Sequence, residues 1–185
     1  MSGLIGQLRD IVPIRALTLA ESFRIAELQA QKMLEHYELT EPPVPESVIA
    51  QIPRIQIERL VPSPVSGATQ WSRGRWLILL SGTEPMSRQR FSLAHEFKHV
   101  LDHPFIHLLY PPYLGMSEHD RAEQVCDHFA GCLLMPRPWI KRAWGGGAQD
   151  LGALAQQFDV SRAAIQVRLR RIGLLEPTQR CLVRS

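Results

Sequence analysis

A segment of the form His-Glu-x-x-His, at residues 95–99, constrains this chain more than any other part of its sequence. It lies inside a predicted helix over residues 87–102. Four residues of an α-helix advance by about 400°, so the imidazoles of His95 and His99 lie about 40° apart around the axis and about 6 Å along it. Both rings can therefore bind one metal ion, with Glu96 close enough to reach a water on that ion. The alternative is a pair of surface histidines beside a solvated glutamate.

A catalytic metal needs a third protein ligand as well as an open position. His103 is about 12 Å from His95 along the same helix and cannot share an ion with both motif histidines. A second predicted helix, residues 118–134, offers several candidates: His119, Glu123, Asp127 and His128. Glu123 and Asp127 lie one turn apart on a common face. Either one could bind the metal while the other holds the far ring nitrogen of a ligand histidine.

Two segments carry a resemblance to a known family. Residues 90–99 read Arg-Phe-Ser-Leu-Ala-His-Glu-Phe-Lys-His, and residues 123–136 read Glu-Gln-Val-Cys-Asp-His-Phe-Ala-Gly-Cys-Leu-Leu-Met-Pro. Together they resemble the R-F-x-L-A-H-E-x-x-H and E-x-x-A-[ND]-x-F-A-x-x-L-L-M-P motifs of the ImmA/IrrE family of zinc metallopeptidases. The resemblance is strong over residues 85–136 and loose elsewhere.

The resemblance implies a Zn²⁺ cofactor and a role for each matching residue. By similarity, His95, His99 and Glu123 ligate zinc, and Glu96 is the general base. Asp127 is then the partner of a ligand histidine. Such a site polarises a peptide carbonyl, and Glu96 passes a proton from water to the leaving amine.

The chain departs from the family pattern at two positions. Lys98 replaces a common glycine, and Cys126 replaces a common alanine. We expect Lys98 to change local electrostatics and helix packing, and Cys126 to be a packed residue rather than a ligand. Three side chains between the two motifs, His107, Tyr110 and Tyr113, are candidate donors to an oxyanion, although loop packing is the more ordinary role for the tyrosines.

Composition limits the alternatives. The three cysteines are too few and too scattered for a disulfide framework or a thiolate zinc site. The longest apolar run, residues 76–80, is far shorter than a membrane span. No secretory signal pattern is present around Arg9 and Asp10. These observations predict a cytoplasmic protein that does not bind membranes.

The predicted fold is α+β, with a zincin-like core. Extended runs at residues 55–60, 67–71 and 75–81 predict a short antiparallel sheet beside the two metal-binding helices. Ser87 and Ser117 are candidate N-caps for those helices. We expect a metallopeptidase domain over residues 1–136 and a basic, helical C-terminal segment over residues 137–185.

Charge is divided unevenly along the chain. Residues 1–136 carry a net charge of −3 and residues 137–185 one of +6. The basic segment has the pattern of a helix-turn-helix, with a second helix capped by Ser161 that carries four arginines: Arg162, Arg168, Arg170 and Arg171. This pattern predicts either weak nucleic-acid contact through the arginines or a helical hairpin that packs on the metal domain.

The leading hypothesis from the sequence is a zinc-dependent endopeptidase. Its expected substrate is a regulatory protein, with a helix-turn-helix repressor of a phage-like, mobile or stress-response locus as the candidate. This choice rests on the resemblance alone. Two alternatives are a DNA-binding transcriptional regulator with a structural or sensory metal, and an antitoxin-like partner protein.

Overall fold

A computed structural model describes residues 3–175, so Cys181 and the last ten residues of the basic segment lie outside the described part. Within residues 3–175 the chain forms nine helices and three strands. The helices are α1 (Leu4–Arg9), α2 (Leu19–His36), α3 (Ser47–Ala50), α4 (Met86–Asp102), α5 (Ile106–Leu109), α6 (Glu118–Leu134), α7 (Arg137–Gly145), α8 (Leu151–Phe158) and α9 (Arg162–Arg171). The strands are β1 (Ile55–Leu60), β2 (Gly67–Ser72) and β3 (Arg75–Ser81).

The α+β prediction is confirmed, but the expected antiparallel sheet is wrong, because the sheet is mixed. Its order is β1-β3-β2, with β2 antiparallel and β1 parallel to β3. Arg73 and Gly74 both have positive φ and form the tight turn of the β2–β3 hairpin. The chain reverses between β1 and β2 and again at this turn, so β1 takes the other edge of β3 in the parallel direction.

Strand β3 is central because its inward face is apolar. Trp76, Ile78 and Leu80 alternate along it and are all buried. Strands β2 and β3 pack on one side of α4, and α4 packs on α6. Helix α2 also packs on α6. The two helices that carry the predicted metal ligands therefore lie in the interior layer of the fold.

Serines at the starts of three helices are candidate N-caps, and the structure confirms two of them. Ser117 caps α6 through the backbone N–H of Asp120, whose carboxylate accepts a hydrogen bond from the Ser117 N–H in return. Ser161 caps α9 in the predicted manner. Ser87, however, lies inside α4, which begins one residue earlier after Pro85. None of the described helices is both long enough and apolar enough to cross a lipid bilayer.

Helices α8 and α9 pack against the rest of the chain. Their buried side chains belong to the same apolar cluster as those of α4 and α6: Leu154, Phe158, Ile165 and Leu169. Arg168 is also buried, and its Nε donates to the Met135 carbonyl at 3.0 Å. On the other side, Arg90 of α4 forms a 3.1 Å ion pair with Asp159 in the α8–α9 turn. These contacts fix α9 relative to α4.

Beneath the motif helix lies a buried polar network. Lys98 and Asp102 are each about 1% exposed, and Lys98 Nζ lies 2.6 Å from Asp102 Oδ1. Lys98 also donates to Gln29 Oε1 at 2.8 Å, and the Tyr110 hydroxyl donates to Asp102 Oδ2 at 2.5 Å. Gln29 in turn donates to the Leu8 carbonyl. The lysine that departs from the family pattern thus links α1, α2 and α4.

We expect Lys98→Met to lower the free energy of unfolding by about 3–5 kcal/mol, because it leaves the Asp102 carboxylate buried without its cation. Urea unfolding at neutral pH measures this change. The double variant Lys98→Met/Asp102→Asn removes both charges and should be less destabilised than Lys98→Met alone. Arg15→Met, which breaks the exposed pair with Glu21, is the matched control and should change stability much less. Equal stability of wild type and Lys98→Met would contradict this account.

Candidate metal centre

The two motif histidines converge, as helical spacing predicts. His95 and His99 lie one turn apart on α4, and their ring centroids are 5.0 Å apart. Their Nε2 atoms face each other at 3.2 Å. Both side chains are largely shielded from solvent. The pair therefore presents two nitrogen donors to a single point in front of α4.

Helix α6 brings Glu123 to the same point. One carboxylate oxygen, Oε2, lies 3.3 Å from His95 Nε2, and the other, Oε1, lies 3.1 Å from His99 Nε2. The capping box at Ser117 sets where α6 begins. The sequence left open which acid of α6 faces the histidines, and in the structure it is Glu123.

The separations among the three side chains, with Glu123 facing one ring through each of its oxygens, are compatible with a shared metal ion. Zinc binds imidazole nitrogen and carboxylate oxygen at about 2.0–2.2 Å, which places neighbouring tetrahedral ligands about 3.3 Å apart. The observed separations among His95, His99 and Glu123 are 3.2, 3.3 and 3.1 Å. These three side chains could therefore hold a divalent cation between them.

Asp127 holds the far side of His95. Its Oδ1 lies 2.9 Å from His95 Nδ1, so Nε2 is the ring nitrogen turned towards His99 and Glu123. Burial lowers the pKa of His95, but the hydrogen bonds to Asp127 and Glu123 outweigh burial and raise it to about 9. The hydrogen bonds from His95 and His99 hold the pKa of Glu123 well below its usual range. Both shifts follow from the close contacts between the imidazoles and the carboxylates of the cluster.

Cys126 is a second candidate for the third ligand. Its thiol and the two motif histidines have donor atoms that all lie within 4.8 Å of one another, so this trio could hold a metal ion. The thiol is fully buried, and burial, followed by the nearby Asp102, raises the pKa of Cys126 well above its ordinary value. A thiol must lose its proton to bind a metal. Glu123, whose oxygens lie 3.3 and 3.1 Å from the two Nε2 atoms, and Cys126 are both candidates for the third ligand.

Glu96 projects from α4 into a space that β2 leaves open. A Cβ atom on Gly67 of β2 would lie only 2.8 Å from Glu96 Oε1 and 2.9 Å from its Cγ. The missing side chain thus makes room for the carboxylate. Thr69, on the same strand, donates to the Glu96 backbone carbonyl at 3.3 Å. Strand β2 therefore positions Glu96 from the side opposite α6.

A cleft of about 520 Å³ opens in front of these residues. His95, Glu96 and Glu123 line one part of it. The other part lies between the first turns of α4 and the exposed face of α9, which contributes Val167 and Arg171. The candidate metal ligands are thus accessible to a molecule larger than water.

The remaining candidates of the sequence lie away from the cleft. Tyr110 is buried and donates to Asp102, while Tyr113 is exposed and His107 pairs with Glu118. None of these three is among the described residues that line the cleft. His103 stacks edge-on against Trp76. The three candidate oxyanion donors of the sequence therefore lie outside the described lining of the cleft.

The sequence analysis did not infer three spatial relationships around the site. Gly67 looked like the start of a strand, although a glycine directly opposite a helix is a signal for close approach. The closeness of Cys126 to the histidines follows from its position three residues after Glu123 on the same helix face. Arg90 was part of the motif, but its partner, Asp159, is distant in sequence and could not be inferred.

Comparisons with known proteins identify two relatives of this chain among curated proteins. The radiation response metalloprotease IrrE of Deinococcus radiodurans is 30% identical over 48% of this chain and 29% of its own length. The protein of the same name from Deinococcus deserti is 37% identical over 46% of this chain and 32% of its own length. The chain thus spans less than a third of each of these relatives in the matched region.

A solved structure shares the fold. A Mycobacterium tuberculosis transcriptional regulator superposes with a TM-score of 0.65 at 16% identity, covering 97% of this chain and 54% of its own. The model of the peptidase M78 family, described as the IrrE N-terminal-like domain, matches residues 50–170. These residues include α4, α6 and the described cleft lining except Arg171. The chain therefore belongs to the IrrE N-terminal-like metallopeptidase family.

Proposed function

We propose that this protein is a zinc-dependent endopeptidase. The observation that carries the proposal is the Glu123 carboxylate, which lies within hydrogen-bonding distance of both His95 Nε2 and His99 Nε2 beside an open cleft. Three donors of this kind with one free position are typical of catalytic rather than structural zinc sites. The metallopeptidase family of the chain supports the same reaction.

Each residue has a proposed role in hydrolysis. His95, His99 and Glu123 would hold Zn²⁺, which supplies a Lewis acid for the peptide carbonyl and lowers the pKa of water. Glu96, beside the cleft, accepts the proton of the attacking water on its carboxylate and delivers it to the leaving amine. Asp127 keeps the His95 ring in the tautomer that directs Nε2 into the cluster.

The proposed substrate is a regulatory protein, for which a helix-turn-helix repressor is the leading candidate. Support comes from the family resemblance and from relatives described as radiation response metalloproteases. We propose that the chain has two functional segments with a boundary at residue 136. Residues 1–136 carry the catalytic groups, and the basic segment forms the remaining wall of the cleft. The alternative of a DNA-binding regulator has weaker support. Arg168 is one of the four arginines predicted to contact DNA, but it is buried and donates to the Met135 carbonyl.

Replacement of the general base tests the reaction. We expect Glu96→Gln to keep its bound zinc and to cut at least about a hundredfold more slowly, because an amide cannot accept the proton of water. Metal content is measured by elemental analysis, and cutting by mass spectrometry on random synthetic peptides and on a repressor encoded beside this chain. Glu58→Gln, at an exposed position on β1, is the matched control. A native rate for Glu96→Gln would remove Glu96 from this role.

Replacement of the two candidate third ligands decides between them. Glu123→Ala should weaken zinc affinity by about a hundredfold or more, a larger loss than that of a supporting residue. Cys126→Ala should leave the affinity nearly unchanged. Cobalt substitution gives an independent reading, because a thiolate ligand produces a near-ultraviolet charge-transfer band that carboxylate and imidazole ligands lack. Such a band, lost in Cys126→Ala, would show that Cys126 is the ligand.

Gly67→Ala tests the positioning of Glu96. The new methyl group should displace the carboxylate, lowering kcat by about tenfold to a hundredfold, while zinc affinity stays the same. Gly145→Ala is the matched control, because a Cβ atom there meets nothing within 4 Å. An unchanged kcat for Gly67→Ala would mean that Glu96 has room to move without loss of function.

A further inference from the structure

The part of the cleft that lies away from the candidate metal ligands is lined by positively charged side chains, which have no role in the proposed hydrolysis. Its carboxylates, those of Glu96, Glu123 and Asp127, all belong to the cluster itself. Away from the cluster, the charged side chains of the described lining are arginines: Arg88, Arg168 and Arg171. Apolar side chains lie between them, among them Phe91 and Val167. This part of the cleft is therefore a basic channel with an apolar floor.

Helix α9 forms one wall of this channel. Ala163, Val167 and Arg171 are four residues apart, so they form one row about 12 Å long on the exposed face of the helix. An extended peptide advances about 3.3 Å per residue. The wall therefore faces three to four residues of a bound peptide, and Arg171 lies at one end of it.

Arg171 is held in place without being neutralised. Its guanidinium lies over the Phe23 ring at 5.7 Å, and Nη1 donates to His128 Nδ1 at 3.2 Å. His128 stacks on Phe23. Burial, followed by the charges of Arg168 and Arg171, lowers the pKa of His128 to about 4, so the acceptor is a neutral ring. No carboxylate among residues 3–175 lies within ion-pair distance of Arg171.

Arg88 is the second cation and lies on the opposite wall. It is seven residues before His95 on α4, about 10 Å along the helix axis. Its nearest acid is Glu84, at 3.9 Å, and the Arg88 side chain is more than half exposed. The two arginines thus face the same channel from α4 and α9.

We propose that this channel binds the substrate chain next to the cleaved bond and selects Asp or Glu side chains there through Arg88 and Arg171. This inference rests on the proposed endopeptidase function and names the class of sequence that the enzyme cuts. Apolar residues of the peptide would pack between the two arginines, against Phe91 and Val167. The basic character of the C-terminal segment then serves peptide recognition.

The test is the cleavage pattern of the full chain, loaded with zinc, on a pool of random synthetic peptides. We expect Asp and Glu to be enriched within about four residues of the cut, on one side only. Each arginine should contribute about twofold to fivefold to the enrichment of Asp and Glu, which is the range expected for solvent-exposed ion pairs. Arg171→Ala and Arg88→Ala should each reduce the enrichment, and Arg171→Glu should shift the preference towards Lys and Arg. Arg162→Ala, on α9 but outside the described lining, is the control that keeps the wild-type pattern.

The outcomes separate this inference from the proposed function. Cutting without acidic enrichment, or with enrichment that the arginine variants leave unchanged, overturns the inference and leaves the endopeptidase intact. Absence of cutting contradicts the endopeptidase. The channel is then tested by fluorescence anisotropy on labelled random peptides fixed with either Glu or Gln at the centre, where equal affinity overturns the inference. Loss of duplex DNA binding in the arginine variants, with peptide selection unchanged, would assign the channel to nucleic acid instead.

Discussion

The packing of α4 on α6 is the contact on which the rest of the site depends. Each helix alone offers an incomplete set of donors: two imidazoles on α4, and acids on α6. Their packing places Glu123 against both Nε2 atoms and Asp127 against the Nδ1 of His95. A shift of one residue along either helix would turn a ligand by about 100° and separate the donors. The buried apolar residues between the helices thus determine the chemistry as directly as the polar ones.

The buried polar network of Lys98 and Asp102 also helps to hold α4 in position against its neighbours. Lys98 and Asp102 are buried together, and they connect the motif helix to Gln29 of α2 and to Tyr110 in the loop after α5. Burial of a charged pair costs desolvation energy, and such a pair is favourable only when its remaining hydrogen bonds are made. Here they are made by groups from two other segments, α2 and the loop after α5. The network therefore ties the orientation of α4 to the helices that surround it.

Much of the site could be predicted from sequence because its geometry is local. Spacing along one helix predicts the convergence of His95 and His99, and a serine cap places the start of α6 at the correct residue. The mixed sheet could not be predicted in the same way, since the order of strands depends on long-range packing. The same limit applies to Gly67 and Arg90, whose partners, Glu96 and Asp159, meet them only in the folded chain. The roles of the zinc ligands and of Glu96 stay predictions that the proposed variants address.

The cleft wall formed by α9 has a consequence for how the protein is made. A chain synthesised from its N-terminus has both metal-binding helices by residue 134, whereas α9 ends only at residue 171. The ion pair between Arg90 and Asp159, which fixes the start of α9, cannot form before residue 159 is made. A growing chain therefore contains every residue of the candidate metal centre before it contains the helix that forms the other wall of the cleft.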